Sequence, residues 1–163
     1  MDKRLQILRE AMEIELNGIQ LYGTAAVHVE DKQAKEVFQF LSDEEKKHYQ
    51  YLKNAFDSIS KGEEIEFQNL LPPRIPFDSI FSQDFKRNLK GKAYEYSAIA
   101  TGIILEKNSI DFYRREKEDA ESPAEKELYE ELEKWEEKHY EMLNKEYNDL
   151  KVRFWDENRF YPF

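Results

Sequence analysis

The sequence predicts an all-α fold, an antiparallel four-helix bundle made of two helical hairpins joined by a long crossover. Three observations carry that expectation. Four long stretches space their apolar residues at helical intervals, a proline-rich segment divides them two and two, and the second pair repeats the first at an offset of 91 residues.

Residues 2–29 place Leu8, Met12, Glu15, Ile19, Tyr22 and Ala26 on one stripe, with Leu5 at its edge. Asp31 suits the N-cap of a second helix, which runs through Val37, Phe38, Leu41, Leu52, Phe56 and Ile59 and stops at Gly62. The next segment contains LLPPRIP, whose three prolines are incompatible with a helix interior. A short helix is expected within Phe77–Leu89, ended by Gly91, and a third long helix from about 93 to 120. Ser122, Pro123 and Glu125 then supply a cap, a first-turn proline and a capping-box glutamate for a fourth helix reaching about residue 150. The bundle is expected to occupy residues 1–150, with the crossover at about 60–92 and an aromatic tail at 151–163. Phe154, Trp155, Phe160, Tyr161 and Phe163 would expose a large apolar patch in water, which favours docking on the bundle or on a second copy as a homodimer.

Composition narrows the function classes. A formal net charge of −10 leaves no electrostatic footprint for nucleic acid or an anionic membrane. Charged residues make up 37% and the mean hydropathy is −0.89, yet 14% of the residues are aromatic, which argues for folded helices with solvated Glu/Lys faces. The sequence has no cysteine, so disulfides, thiolate zinc sites, iron–sulfur sites and cysteine nucleophiles are excluded from these residues. The first twenty residues are too acidic for a secretory signal and no apolar run approaches membrane-spanning length, so the expected location is cytoplasmic.

The repeat extends to polar positions. Leu41, Glu45, His48 and Leu52 recur as Leu132, Glu136, His139 and Leu143, while Glu15, Ile19 and Tyr22 recur as Glu106, Ile110 and Tyr113. At about 100° per residue, Glu15 falls mid-stripe, within about 20° of Leu8 and Tyr22. Glu106 lies likewise between Ile99 and Tyr113. Glu45 and His48 project together as an i, i+3 pair, and so do Glu136 and His139. Four carboxylates and two imidazoles therefore point into the bundle. At about 4 Å and an effective dielectric of 20, each like-charge contact would cost about 4 kcal/mol. The carboxylates must be protonated or must hold cations. Two divalent metals would balance four Glu, and an oxygen and imidazole donor set suits iron or manganese. His28 has no repeat partner and reads as a surface histidine. Glu95 shares the third-helix stripe but lies about 16 Å along the axis from Glu106, too far for the same cluster.

These residues resemble the ferritin-like di-iron carboxylate proteins, and within them the rubrerythrin group, over nearly all of residues 1–150. The resemblance implies two iron ions, with manganese or a mixed pair as variants. It implies Glu15 and His48 as terminal ligands of one metal, Glu106 and His139 of the other, and Glu45 and Glu136 as bridges. Tyr22 and Tyr113 would then support ligand carboxylates, core packing being their alternative role. The implied activity is reduction of peroxide or dioxygen in protection against oxidative stress. Two departures matter. The four-cysteine rubredoxin domain usual in rubrerythrins has no counterpart here, so electrons are expected from a separate donor such as a rubredoxin. The additional glutamate usual three residues after the third-helix ligand is replaced by Ser109, leaving a six-residue set. The alternatives are a ferroxidase that handles iron and a non-enzymatic helical module with a structural metal site.

Overall fold

A computed structural model describes residues 2–65 and 74–158, and among these residues the only regular structure is helical. The first hairpin consists of α1 (Lys3–His28) and α2 (Lys32–Ser60). A single turn, α3 (Gln83–Lys86), lies in the crossover, and the second hairpin consists of α4 (Ala93–Asp119) and α5 (Pro123–Asn158). The helices of each hairpin pack together, and α1 meets α4.

The helix ends follow from their sequence. Asp31 Oδ1 accepts from the Ala34 N–H at 2.9 Å, and Ser122 Oγ accepts from the Glu125 N–H at 3.1 Å. These caps are themselves 91 residues apart (122 − 31), so the repeat includes its own start signals. At the end of α2, the Glu63 N–H reaches Ser58 O and the Gly62 N–H reaches Ile59 O. This closure needs a left-handed residue, and Gly62 supplies it with φ +74°.

One helix limit differs from the expected ones. The fourth long helix does not stop near residue 150 but continues to Asn158, because Lys151 to Asn158 contains no glycine or proline to end it. Phe154 and Trp155 are therefore on a helix, each 46% exposed and packed edge to face at 6.5 Å. Phe160, Tyr161 and Phe163 lie outside the described residues, as do Leu70 to Pro73 of LLPPRIP. The short crossover helix lies within Phe77–Leu89 as expected, as one turn capped by Ser82 Oγ, which accepts from the Phe85 N–H.

A buried ionic clasp holds the crossover against the bundle. Glu146 accepts from the Ile80 and Phe81 N–H groups at 3.2 and 3.3 Å and pairs with Lys86 Nζ at 2.9 Å. Lys86 also reaches Asp149 and Ser79 Oγ, at 2.8 and 2.7 Å. Glu146→Ala removes the buried counter-charge and two acceptors together. It is expected to destabilise the fold by about 3–5 kcal/mol, read as a lower denaturation midpoint at unchanged slope.

Candidate metal centre

The buried seams of α1 and α4 alternate carboxylates and tyrosines with small residues. On α1 the buried residues are Leu8, Ala11, Glu15, Gly18, Tyr22 and Ala25. Met12 and Ile19, expected on the stripe, are half-buried flanks. On α4 Gly102 and Ser109 occupy the matching places (102 − 11 = 91 and 109 − 18 = 91). Small side chains let each helix approach the site closely. A Cβ at Gly18 would stand 3.0 Å from Glu45 Cγ, and one at Gly102 would stand 3.2 Å from the Tyr22 hydroxyl. Sequence reasoning missed both glycines, although the 91-residue register aligns a small residue at each of the two positions in both halves.

The fold brings all six acid and imidazole residues of the repeat together, each no more than 1% exposed. They form two groups whose potential ligand atoms lie within 4.8 Å of one another: Glu15, Glu45, His48 and Glu136, and Glu45, Glu106, Glu136 and His139. Glu45 and Glu136 belong to both. Glu45 presents Oε2 to His48 Nδ1 at 3.2 Å and Oε1 to His139 Nδ1 at 3.1 Å. Glu136 presents Oε1 to His48 Nδ1 at 2.9 Å and Oε2 to His139 Nδ1 at 3.3 Å. Each shared carboxylate thus divides its two oxygens between the two halves. Glu95, though buried, belongs to neither group. His28 is exposed, and its Nδ1 lies 2.9 Å from Thr24 O. Ser109 turns its hydroxyl back to Leu105 O at 3.1 Å.

The tyrosines cross between hairpins. Tyr22 on α1 donates to Glu106 Oε1 on α4, and Tyr113 on α4 donates to Glu15 Oε1 on α1. Each carboxylate is steered from the opposite half-repeat. Both rings are fully buried, so each tyrosine also serves the core. Tyr22 stacks on Phe38 and Tyr113 on Tyr129, both at 6.3 Å.

The six groups shift one another's protonation in opposite directions. Burial, followed by repulsion from Glu136 and Glu45, raises the Glu15 carboxyl well above its ordinary range. Burial and the same two neighbours raise Glu106. Burial also acts on Glu45 and Glu136, but the adjoining imidazoles outweigh it and hold both below that range. His48 is raised well above its usual value, and His139 is raised to about 9, because the carboxylates outweigh the effect of burial. The shifts favour the charged forms of Glu45, Glu136 and the two imidazoles and the protonated forms of Glu15 and Glu106.

The donor chemistry fits metal. Glu45 Oε1, Glu106 Oε2, both Glu136 carboxylate oxygens and His139 Nδ1 are buried without a hydrogen-bond partner. His139 Nδ1 lies within 3.3 Å of carboxylate oxygens and still forms no aligned hydrogen bond. Unpaired buried donors and acceptors are costly, and a shared cation would satisfy them together. Gly18→Ala tests the packing behind Glu45: pressing on that carboxylate, it is expected to weaken metal affinity about 10- to 100-fold with the fold retained, as measured by metal titration.

Fold and site together define a ferritin-like helical bundle with a buried carboxylate–histidine centre able to hold metal. Residues 6–147 match the family model described as Rubrerythrin, and the chain belongs to that family. A hypothetical protein from Pyrococcus furiosus shares the fold, with a TM-score of 0.67 and 23% identity over 93% of this chain and 92% of that chain. Comparison with curated proteins gives no match. Among the described residues, no helix is long and apolar enough to cross a membrane.

Proposed function

We propose that this protein holds two iron ions and reduces peroxide with electrons from a separate donor. The observation that carries the reading is the pair of four-residue groups sharing Glu45 and Glu136. Glu15 and His48 serve one ion and Glu106 and His139 the other, while Glu45 and Glu136 fix the spacing between them. The oxygen and imidazole donors favour iron or manganese over a structural zinc site.

When bound, an iron pair supplies the two electrons that split the O–O bond of peroxide, and the donor later restores them. The chain provides placement and exclusion. Tyr22 and Tyr113 hold Glu106 and Glu15 in position through their hydroxyl protons. Near-complete burial of all six residues favours an oxidant as small as peroxide or dioxygen over an organic substrate. The sequence contains no cysteine to hold a rubredoxin-type iron, which supports an electron source outside these residues.

The test is peroxide consumption by the iron-loaded protein with and without reduced rubredoxin. Catalytic turnover only with donor supports the reading. Stoichiometric oxidation with no turnover in the presence of donor would indicate iron handling or a structural metal instead.

A further inference from the structure

We propose that Trp135 and Tyr51 form a one-electron route from the protein surface to the His48 side of the metal pair, an inference that rests on the function proposed above. The six buried residues keep an external protein from touching the metals, so an electron must cross a layer of side chains. The Trp135 ring lies 4.5 Å from the His48 ring, centroid to centroid, and the Tyr51 ring lies 5.7 Å beyond Trp135. Trp135 is 3% exposed, whereas Tyr51 is half-buried and reaches the outside. One buried ring thus separates a ligand histidine from the surface.

Other aromatic contacts near the site are poorer routes. From Tyr22 the rings run through Phe38, Phe81 and Phe85, a longer path of phenyl groups that are harder to oxidise than indole. From Tyr113 the neighbouring rings are Phe112 and Tyr129, both of them buried. The repeat also breaks at both relay positions. Trp135 corresponds to Glu44 (135 − 44 = 91) and Tyr51 to Met142 (142 − 51 = 91), so the path serves one half of the site. The Trp135 Nε1–H is buried without a partner. A purely packing role would be filled at less cost by phenylalanine or leucine.

No bond forms or breaks at either ring. A one-electron donor, such as a rubredoxin-type iron protein, loses one electron per passage. Two passages and two protons reduce one peroxide to two waters.

The experiment compares the full chain with Trp135→Phe, Trp135→Leu, Tyr51→Leu and the control Trp155→Leu, each loaded with iron. Metal content and the single-turnover rate of oxidation by peroxide are measured first. Re-reduction of the oxidised protein by reduced rubredoxin is then followed by stopped flow. The expected order is wild type and Trp155→Leu fastest, then Trp135→Phe, then Trp135→Leu, with the last slowed by an order of magnitude or more. Tyr51→Leu is also slowed, and metal content and oxidation rate are unchanged throughout. A readout independent of turnover comes from a Trp155→Phe background, where manganous ion added to metal-free protein should alter the emission of Trp135. Re-reduction of metal-replete Trp135→Phe and Tyr51→Leu at the wild-type rate would overturn the route while leaving the proposed function standing. Failure of the wild type to bind metal would overturn both.

Discussion

Glu45→Ala is expected to lose both metal ions, whereas Glu15→Ala loses mainly one. The difference follows from the division of carboxylate oxygens. Glu45 offers Oε1 toward His139 and Oε2 toward His48, so its removal takes a donor from both groups. Glu15 belongs only to the group containing His48. Removing it also strands the Tyr113 hydroxyl, which costs about 1–3 kcal/mol but leaves the other group whole. Metal counting on the two variants, with circular dichroism as a check on folding, decides the matter. Loss of one equivalent from each would show that Glu45 does not bridge.

The second large effect is coupling among metal, protons and stability. Without metal, Glu15, Glu106, His48 and His139 all have raised pKa values. Each stabilises the fold while protonated, and that contribution is lost as pH climbs. For His139 it is fully present below 6.5 and disappears as pH passes about 9. Glu45 and Glu136 are lowered, so their contribution is present above 4.5 and is lost on acidification. Divalent metal takes the place of the protons on the four raised groups. Loading metal should therefore release protons, and affinity should rise with pH. At free metal about 100 times Kd, the stabilisation is about 2.7 kcal/mol. That corresponds to a rise in Tm of about 5–10 °C for a chain of this size. The rise should be larger at pH 8 than at pH 6. Scanning calorimetry with and without chelator, and titrations in buffers of different ionisation heat, check both parts. An unchanged melting curve on chelation would count against a buried four-carboxylate metal site.

Much of this candidate centre was legible in the sequence because side chains able to hold metal follow a spacing on a helix that packing alone does not impose. Six acid and imidazole residues matched at one offset identify two facing half-sites. The structure places those residues in two groups that share Glu45 and Glu136. The seam residues were harder to read. Ala11, Gly18 and Ala25 carry little hydrophobicity, so a stripe weighted by large side chains was drawn one residue away, through Met12, Ile19 and Ala26. Buried Lys86 and Glu146 were hidden for another reason. Each resembles the solvated Glu/Lys surface in sequence, and only their pairing across the crossover makes burial affordable. The extension of α5 past residue 150 was masked by reading an aromatic cluster as a tail, when nothing in Lys151 to Asn158 interrupts a helix. Trp135 stands opposite Glu44 in the repeat, so its contact with His48 is visible only in the structure.

The most direct test is a crystal structure of iron-loaded protein with anomalous scattering measured on both sides of the iron absorption edge. Two iron peaks are expected in each chain, one beside Glu15 and His48 and the other beside Glu106 and His139, with Glu45 and Glu136 contacting both. A single peak, or two peaks sharing neither carboxylate, would contradict the account.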